Sequence, residues 1–177
     1  MPNWCHNTLE VIGSEEEVAA FVNKARECSE ELHPQPLFFA NFVPEPEHDE
    51  ANDHSAMPDW WNWRIENWGT KWEPNFEAPF MAIGMEGSDP GADKEKLEIQ
   101  KLGDGQAIVT YEFDTAWGPP GPVFDAAAKQ HEDLFFRLVW GEPGSDFGGK
   151  CEWKGGETVH FEEGEAADYL PEEKMWF

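Results

Sequence analysis

The sequence predicts an α+β fold in a single domain spanning residues 1–177, and three patterns lead to this prediction. An alternating strand precedes an amphipathic helix near the N-terminus, a glycine-rich turn joins two alternating segments in the second half, and a later helix precedes a continuous apolar strand. At 177 residues the chain can bury one substantial core, and its 14% aromatic content separates it from disordered chains.

The N-terminal third predicts a β-α-β unit. Residues 8–12 alternate as a short strand, and Ser14 with Glu17 has the spacing of a helix capping box. Apolar residues then recur at helical spacing, namely Val18, Phe21, Val22 and Ala25. Residues 37–43 are apolar and flanked by prolines, so we expect a second strand there.

Residues 45–77 predict an insertion into this fold. Its first part, 45–59, is acidic and polar, as in an exposed loop. Residues 60–68 predict a short tryptophan-rich helix ended by Gly69, and we expect this segment to cover the sheet face that the other helices leave open. A third strand is predicted at 79–85 and a polar loop at 87–96.

The second half predicts two hairpins around a helix. A three-residue loop at 103–105 places Ile99 opposite Val109 and Leu97 opposite Tyr111. A helix then begins near Pro122 with an inner side of Phe124, Ala127, Ala128, His131 and Leu134, and residues 134–140 form a buried strand.

The segment 147–177 predicts the second hairpin and an acidic tail. A three-residue loop would place Cys151, Trp153, Val159 and Phe161 on one face, with Glu157 in the left-handed position. Together these elements predict a ferredoxin-like split β-α-β sandwich with an inserted tryptophan-rich helical segment and a C-terminal β-hairpin.

Four phrases in the chain resemble the YubB-like family of plasmid and phage proteins. They are "MPNWC" at 1–5 with Asn7, "NWGTKW" at 67–72, "TAWGPP" at 115–120 and "VWGEPGSDFGG" at 139–149. The resemblance spans most of the chain in order, and it implies a ferredoxin-like domain and a mobile-element origin. It implies no catalytic residues, because the family has no assigned function, and it does not extend to residues 45–59 or the acidic tail.

Charge restricts the class of partner. The chain has 37 acidic against 12 basic residues, a formal net charge of −25, so its surface repels nucleic acid phosphates and anionic lipids and attracts basic proteins. Acidity that only confers solubility is the alternative. No signal peptide or apolar membrane span is visible, and the cysteines (Cys5, Cys28, Cys151) form no short pair, so we expect a cytoplasmic protein with free thiols.

The sequence predicts neither an enzyme nor a bound metal or cofactor. The common serine hydrolase, P-loop and zinc protease motifs are missing from the sequence. Residues 48–54, "HDEANDH", could supply metal ligands, but a solvated acidic loop explains them equally. Cys5 and His6 would point to opposite faces of a strand, which argues against a catalytic dyad.

Two functional hypotheses remain. The first is an acidic, non-enzymatic binding protein that inhibits a host defence or nucleic-acid enzyme by nucleic-acid mimicry, through Glu152, Glu157, Glu162, Glu163, Glu165, Trp60 and Trp63. The second is a binder of a nucleotide-like small molecule, through Trp63, Arg64, Trp68, Lys71, Trp72 and Trp117.

Overall fold

The computed structural model describes residues 3–26, 35–47, 59–76 and 99–175. Its helices and strands are β1 (Trp4–Ser14), α1 (Glu15–Arg26), α2 (Asp59–Trp68), β2 (Ile99–Gly103), β3 (Gln106–Ala116), α3 (Gly121–Gln130), β4 (Phe135–Glu142), β5 (Phe147–Lys154) and β6 (Glu157–Gly164). Short 3-10 helices occupy Phe39–Asn41, Ala166–Asp168 and Glu172–Lys174. The predictions for 79–85, 87–96 and most of 45–59 lie outside the described residues.

Within the described residues, six strands form one antiparallel sheet in the order β2-β3-β1-β4-β5-β6. The central β1 lies between β3 and β4, and α1 and α3 connect strands that are not neighbours. This is the split β-α-β arrangement, with β5 and β6 added beyond β4. The predicted α+β class is therefore confirmed, including its C-terminal hairpin.

Helices α1 and α3 cover one face of the sheet. Ser14 Oγ accepts a hydrogen bond from the backbone N–H of Glu17 (3.2 Å) and so caps α1 as predicted. Phe21 of α1 packs edge-on against Tyr111 and Phe136, whose side chains point to this face. The hydrophobic core lies between these two layers.

The predicted strand at 37–43 is wrong, because these residues contain a 3-10 helix at Phe39–Asn41. The side chain of Glu73 fixes it by accepting hydrogen bonds from the backbone N–H groups of Phe39 (2.5 Å) and Ala40 (3.1 Å). The second strand of the split β-α-β unit is instead β2, which begins at Ile99. An apolar run alone does not distinguish a strand from another buried segment.

The first hairpin has the predicted pairing of Ile99 with Val109, but its predicted three-residue loop is wrong. A register shift between Lys101 and Gly103 pairs Gly103 with Gln106, so the turn consists of Asp104 (φ +52) and Gly105 (φ +73). Leu97 lies outside the described residues. In the second hairpin Cys151 pairs with Phe161 as expected.

The turn of that second hairpin differs from the prediction. Gly155 and Gly156 take the left-handed positions, at φ +62 and +76, and Glu157 does not. A register shift next to this turn pairs Trp153 with Thr158 instead of Val159. The glycine pair forms the turn because both of its positions need positive φ, which glycine adopts without strain.

The expectation that the tryptophan segment covers the open sheet face is wrong. Trp68 packs against Phe39, which also contacts Phe113 and Phe124, so α2 lies on the same side of the sheet as α1 and α3. The C-terminal tail crosses the open face instead. Leu170 packs on Gly141 and Tyr169 packs on Gly148. Both contacts are so close that a Cβ on either glycine would lie within 2.8 Å of the tail side chain.

No helix among the described residues is both long and apolar enough to span a membrane.

Candidate functional site

Two separated segments, 67–72 and 115–120, pack against each other at one end of the sheet. The hydroxyl of Thr70 donates to the carbonyl of Ala116 (3.0 Å), and the hydroxyl of Thr115 donates to the carbonyl of Gly118 (2.7 Å). Gly69 has φ +80, and a Cβ there would lie 2.6 Å from the carbonyl oxygen of Pro119. These contacts give a structural reason for both glycine-containing motifs.

Trp117 has an unusual backbone conformation at this junction. Its φ is +69, in the left-handed region that bulky residues rarely adopt, and its backbone N–H donates to the carbonyl of Asn3 (3.0 Å). The side chain is 43% exposed, and its ring centroid lies 5.6 Å from that of Trp61. The fold therefore keeps a strained tryptophan at the surface.

Lys71 lies among three indole rings. Its Nζ is 3.8 Å from the ring centroid of Trp61, 4.4 Å from that of Trp72 and 5.3 Å from that of Trp117. These distances are those of cation–π contacts. We call Trp61, Lys71, Trp72 and Trp117 the tryptophan corner.

The corner is partly open to solvent. The side chain of Trp72 is 36% exposed, and its ring lies 6.3 Å from that of Trp4. Together with Trp117, it gives the corner two accessible indole rings beside a cationic group. An arrangement of this kind can stack on a flat ring and attract an anion.

The six residues predicted for small-molecule binding divide into two groups. Lys71, Trp72 and Trp117 belong to the tryptophan corner. Trp68 is buried and donates its indole N–H to the carbonyl of Val43 (2.9 Å), while Trp63 packs edge-on against it. The prediction did not include Trp61, whose ring contacts Lys71 and Trp117 in the structure.

Arg64, the remaining member of that set, is engaged within the protein. Its Nε and Nη2 donate to the carboxylate of Glu45 at 2.5 to 3.0 Å, and its guanidinium lies over the rings of Trp60 (5.0 Å) and Trp68 (4.8 Å). Arg64 therefore joins α2 to the segment before it. Its Nη1 donates to the backbone carbonyl of Lys71 (3.4 Å), so its donors are used within the same chain.

The residues predicted to bind a protein partner lie on two parts of the fold. Trp60 and Trp63 belong to α2. Of the glutamates, Glu152 lies on β5, Glu157, Glu162 and Glu163 lie on β6, and Glu165 comes directly after β6. Glu152 is paired with Arg137 (2.9 Å), and Glu162 with Lys150 (3.4 Å) and His160 (3.1 Å). Glu157, Glu163 and Glu165 are exposed.

Beyond the predicted glutamates, the acidic surface continues into the tail. Residues 157–173 carry seven exposed carboxylates and no Lys or Arg, and we call this segment the acidic edge: Glu157, Glu162, Glu163, Glu165, Asp168, Glu172 and Glu173. All eight residues of β6 are exposed, and β6 is the last strand of the sheet. Val159 and Phe161, 56% and 58% exposed, add apolar surface to this edge.

Cys5 and His6 near the N-terminus do not pair with each other. Cys5 pairs with Thr115 and His6 with Asp114 on opposite faces of β1, as the strand spacing predicts. His6 Nδ1 lies 2.5 Å from Asp114 Oδ1 in a buried pair. Burial raises the pKa of the Cys5 thiol to about 12, so this thiol is protonated near neutral pH.

Metal-ligating side chains do not cluster within the part of the chain that the structure describes. The segment 48–54 lies outside that part. Arg137, which lines a shallow groove of about 240 Å³ on the open face, is paired with Glu10 (3.0 Å) and Glu152. Among the residues that the structure describes, the tryptophan corner and the acidic edge are the candidate sites.

Comparisons with known proteins agree with the fold. Residues 98–174 match a family model described as a ferredoxin-like domain in Api92-like protein. A crystal structure of a protein api92 from Yersinia pseudotuberculosis is similar to this chain, with a TM-score of 0.50 at 9% sequence identity, over 94% of this chain and 99% of that one. No curated protein matches the sequence. These similarities support the ferredoxin-like domain and not the finer YubB-like assignment, which stays a prediction.

Proposed function

We propose that the protein is a non-enzymatic binding protein whose acidic edge engages the basic surface of a protein that binds nucleic acid. One observation carries this proposal: residues 157–173 expose seven carboxylates and contain no Lys or Arg. Proteins that hold DNA or RNA present clustered Lys and Arg side chains, which an acidic surface attracts at long range. The net charge of −25 acts in the same direction and disfavours direct binding to nucleic acid.

The strand geometry favours a protein surface as the partner. Among the described residues β6 is the last strand of the sheet, and no described strand pairs with its outer backbone groups, which another chain could therefore use. Phe161 and Val159 offer apolar contacts between the carboxylates, and aromatic side chains commonly dominate the energetics of protein interfaces. Charge would then steer the approach, while these side chains and the strand edge would hold the complex.

Nucleic-acid mimicry is the more specific form of the proposal. Glu162 and Glu163 are neighbours on one strand and so point to opposite faces, which means that β6 alone does not present a row of carboxylates. A phosphate-like row would have to combine β6 with Asp168, Glu172 and Glu173 of the tail. On this proposal the protein originates from a phage or plasmid and inhibits a defence or nucleic-acid enzyme in the cytoplasm of the host.

The test is recovery of partners from a bacterial lysate, at low and high salt and with competing duplex DNA. The edge variant E157Q/E162Q/E163Q/E165Q is compared with the control variant E16Q/E47Q/E66Q/D133N, whose carboxylates are exposed elsewhere. Each variant removes four charges, from −25 to −21, so both have the same net charge.

We expect the wild type and the control variant to retain a basic nucleic-acid-binding protein that salt, DNA and the edge substitutions each release. Equal loss of that partner in both variants would show that net charge alone attracts it, which would contradict the proposal. Retention in the presence of excess DNA would contradict mimicry and leave the acidic edge as an ordinary docking surface.

A further inference from the structure

We propose that the tryptophan corner binds a small planar aromatic molecule that carries an anionic group, such as a nucleoside monophosphate. The corner and the acidic edge consist of different residues, so this inference does not depend on the proposed function.

The exposed rings can take a flat aromatic ligand. Trp72 and Trp117 are 36% and 43% exposed, whereas Trp68 and Trp153 are almost completely buried. The rings of Trp61 and Trp117 are tilted by 32° at 5.6 Å. Surface indoles of this kind stack on nucleobases, because every base offers a flat π face.

The charge of Lys71 selects the anionic group. Other basic side chains in the described residues hold carboxylates, as Arg64 does Glu45 and Lys101 does Glu15 (2.6 Å). No salt bridge within the same residues involves Lys71, whose Nζ contacts the three rings. A partly desolvated ammonium among indoles can form a charge-assisted hydrogen bond to a phosphate or carboxylate. A cationic ligand would instead be repelled by Lys71.

The backbone of Trp117 gives an independent argument. A bulky residue at φ +69 is strained, and such strain concentrates at ligand-binding and catalytic sites. Hydrogen bonds from Trp117 N–H to Asn3 and from Thr70 to Ala116 maintain this conformation. Because 43% of Trp117 stays exposed, its burial offsets the strain only in part, and the arrangement is explained if the exposed part of the ring meets a ligand.

The net charge of the protein limits the ligand to a single small unit, such as a mononucleotide. A polynucleotide would bring many phosphates against a chain of net charge −25 with one cation at this corner. A mononucleotide brings one phosphate and one base, which match one ammonium and its neighbouring rings.

The test follows the indole N–H resonances of ¹⁵N-labelled protein during titration with adenosine 5′-monophosphate and, separately, with adenosine. Trp68 and Trp153 are internal references, because their indole N–H groups are bonded to Val43 and Asp125 inside the protein. We expect resonances of Trp61, Trp72 and Trp117 to shift with the monophosphate while the two references stay in place.

Two variants separate the parts of the proposal, and a third is the control. K71Q should weaken the monophosphate at least about tenfold and leave adenosine binding nearly unchanged, since one charge-assisted bond is lost. W117G should abolish binding of both ligands while the protein stays folded, because glycine tolerates φ +69. I65A, which removes an exposed apolar side chain of α2 outside the corner, should bind like the wild type.

Three outcomes would overturn the proposal. The first is that about 10 mM monophosphate moves none of the corner resonances, a concentration that would reveal even weak binding. The second is equal affinity of the wild type for adenosine and its monophosphate, which would remove the role of Lys71. The third is a W117G variant that remains folded and still binds.

Discussion

The hydroxyl of Thr70 donates a hydrogen bond to the backbone carbonyl of Ala116 at 3.0 Å, in a fully buried position. This contact joins the end of α2 to the end of β3, two segments 46 residues apart. Lys71 and Trp72 follow Thr70, and Trp117 follows Ala116. The same hydrogen bond therefore packs the residues after α2 onto the sheet and brings the tryptophan corner together.

Replacing Thr70 by Val should destabilise the protein by about 1–3 kcal/mol, because a buried carbonyl loses its side-chain donor while the side-chain volume stays nearly the same. Urea unfolding followed by circular dichroism measures this difference in the free energy of unfolding. The control is T70S, which keeps the hydroxyl and should lose less. If T70V were as stable as the wild type, the hydrogen bond would not be what joins the two segments.

Substitutions at Trp117 should show its backbone strain directly. Glycine there should be more stable than alanine by about 1 kcal/mol, because a Cβ is disfavoured at φ +69. At Ile65, an exposed position inside α2, the order should be reversed by about 1 kcal/mol, since alanine favours helices over glycine. Chemical unfolding of W117G, W117A, I65G and I65A gives both differences.

The difference in the free energy of unfolding between the glycine and alanine variants should therefore have opposite signs at positions 117 and 65. If alanine were also preferred at position 117, the left-handed backbone would not persist in solution. The argument that the fold keeps a strained tryptophan at the surface would then fail.

The parts of the fold that the sequence predicts correctly depend on local signals. The pairing of Ile99 with Val109 follows from a glycine turn beside two alternating strands, and the start of α1 follows from Ser14. The failed strand at 37–43 depends on a distant residue. Glu73, more than 30 residues away, accepts the N–H groups that fix the 3-10 helix at Phe39, and no local pattern reveals that contact.

The candidate sites are likewise predictable only where local signals in the sequence are enough. The abundance of carboxylates near the C-terminus predicts much of the acidic edge, but Asp168, Glu172 and Glu173 join it because the tail folds over the sheet at Gly141 and Gly148. The sequence does not single out Trp61, whose ring in the structure contacts Lys71 and lies 5.6 Å from that of Trp117. That contact comes from a tertiary junction, which residue periodicity does not describe.

The two described cysteines should resist alkylation in the native protein. Burial raises the pKa of Cys5 to about 12 and that of Cys151 to about 11, so at pH 8 their thiolate fractions are only about 10⁻⁴ and 10⁻³. Iodoacetamide labelling followed by peptide mass spectrometry should find both unmodified until denaturant is added. Rapid native labelling of Cys5 would contradict its place in the core and reopen a catalytic role.

The last prediction concerns Glu73, whose carboxyl fixes the 3-10 helix at Phe39–Asn41. Burial raises the pKa of Glu73 above 4.5, and hydrogen bonds from Phe39 and Ala40 oppose this rise without cancelling it. A raised pKa means that the folded protein holds this proton more tightly than the unfolded chain does. The contribution of Glu73 is therefore most favourable at acidic pH and declines as pH rises from about 4.5 through the raised pKa.

Comparison with E73Q isolates this effect, because both proteins share every other titrating group. We expect the free energy of unfolding of the wild type to fall relative to that of E73Q between pH 4.5 and neutral pH, as measured by urea unfolding at several pH values. If the free energy of unfolding of the wild type instead rose relative to that of E73Q over this range, the prediction would be contradicted. Such a rise would show that the two backbone hydrogen bonds to the carboxylate outweigh its desolvation, and that Glu73 is charged in the folded protein throughout.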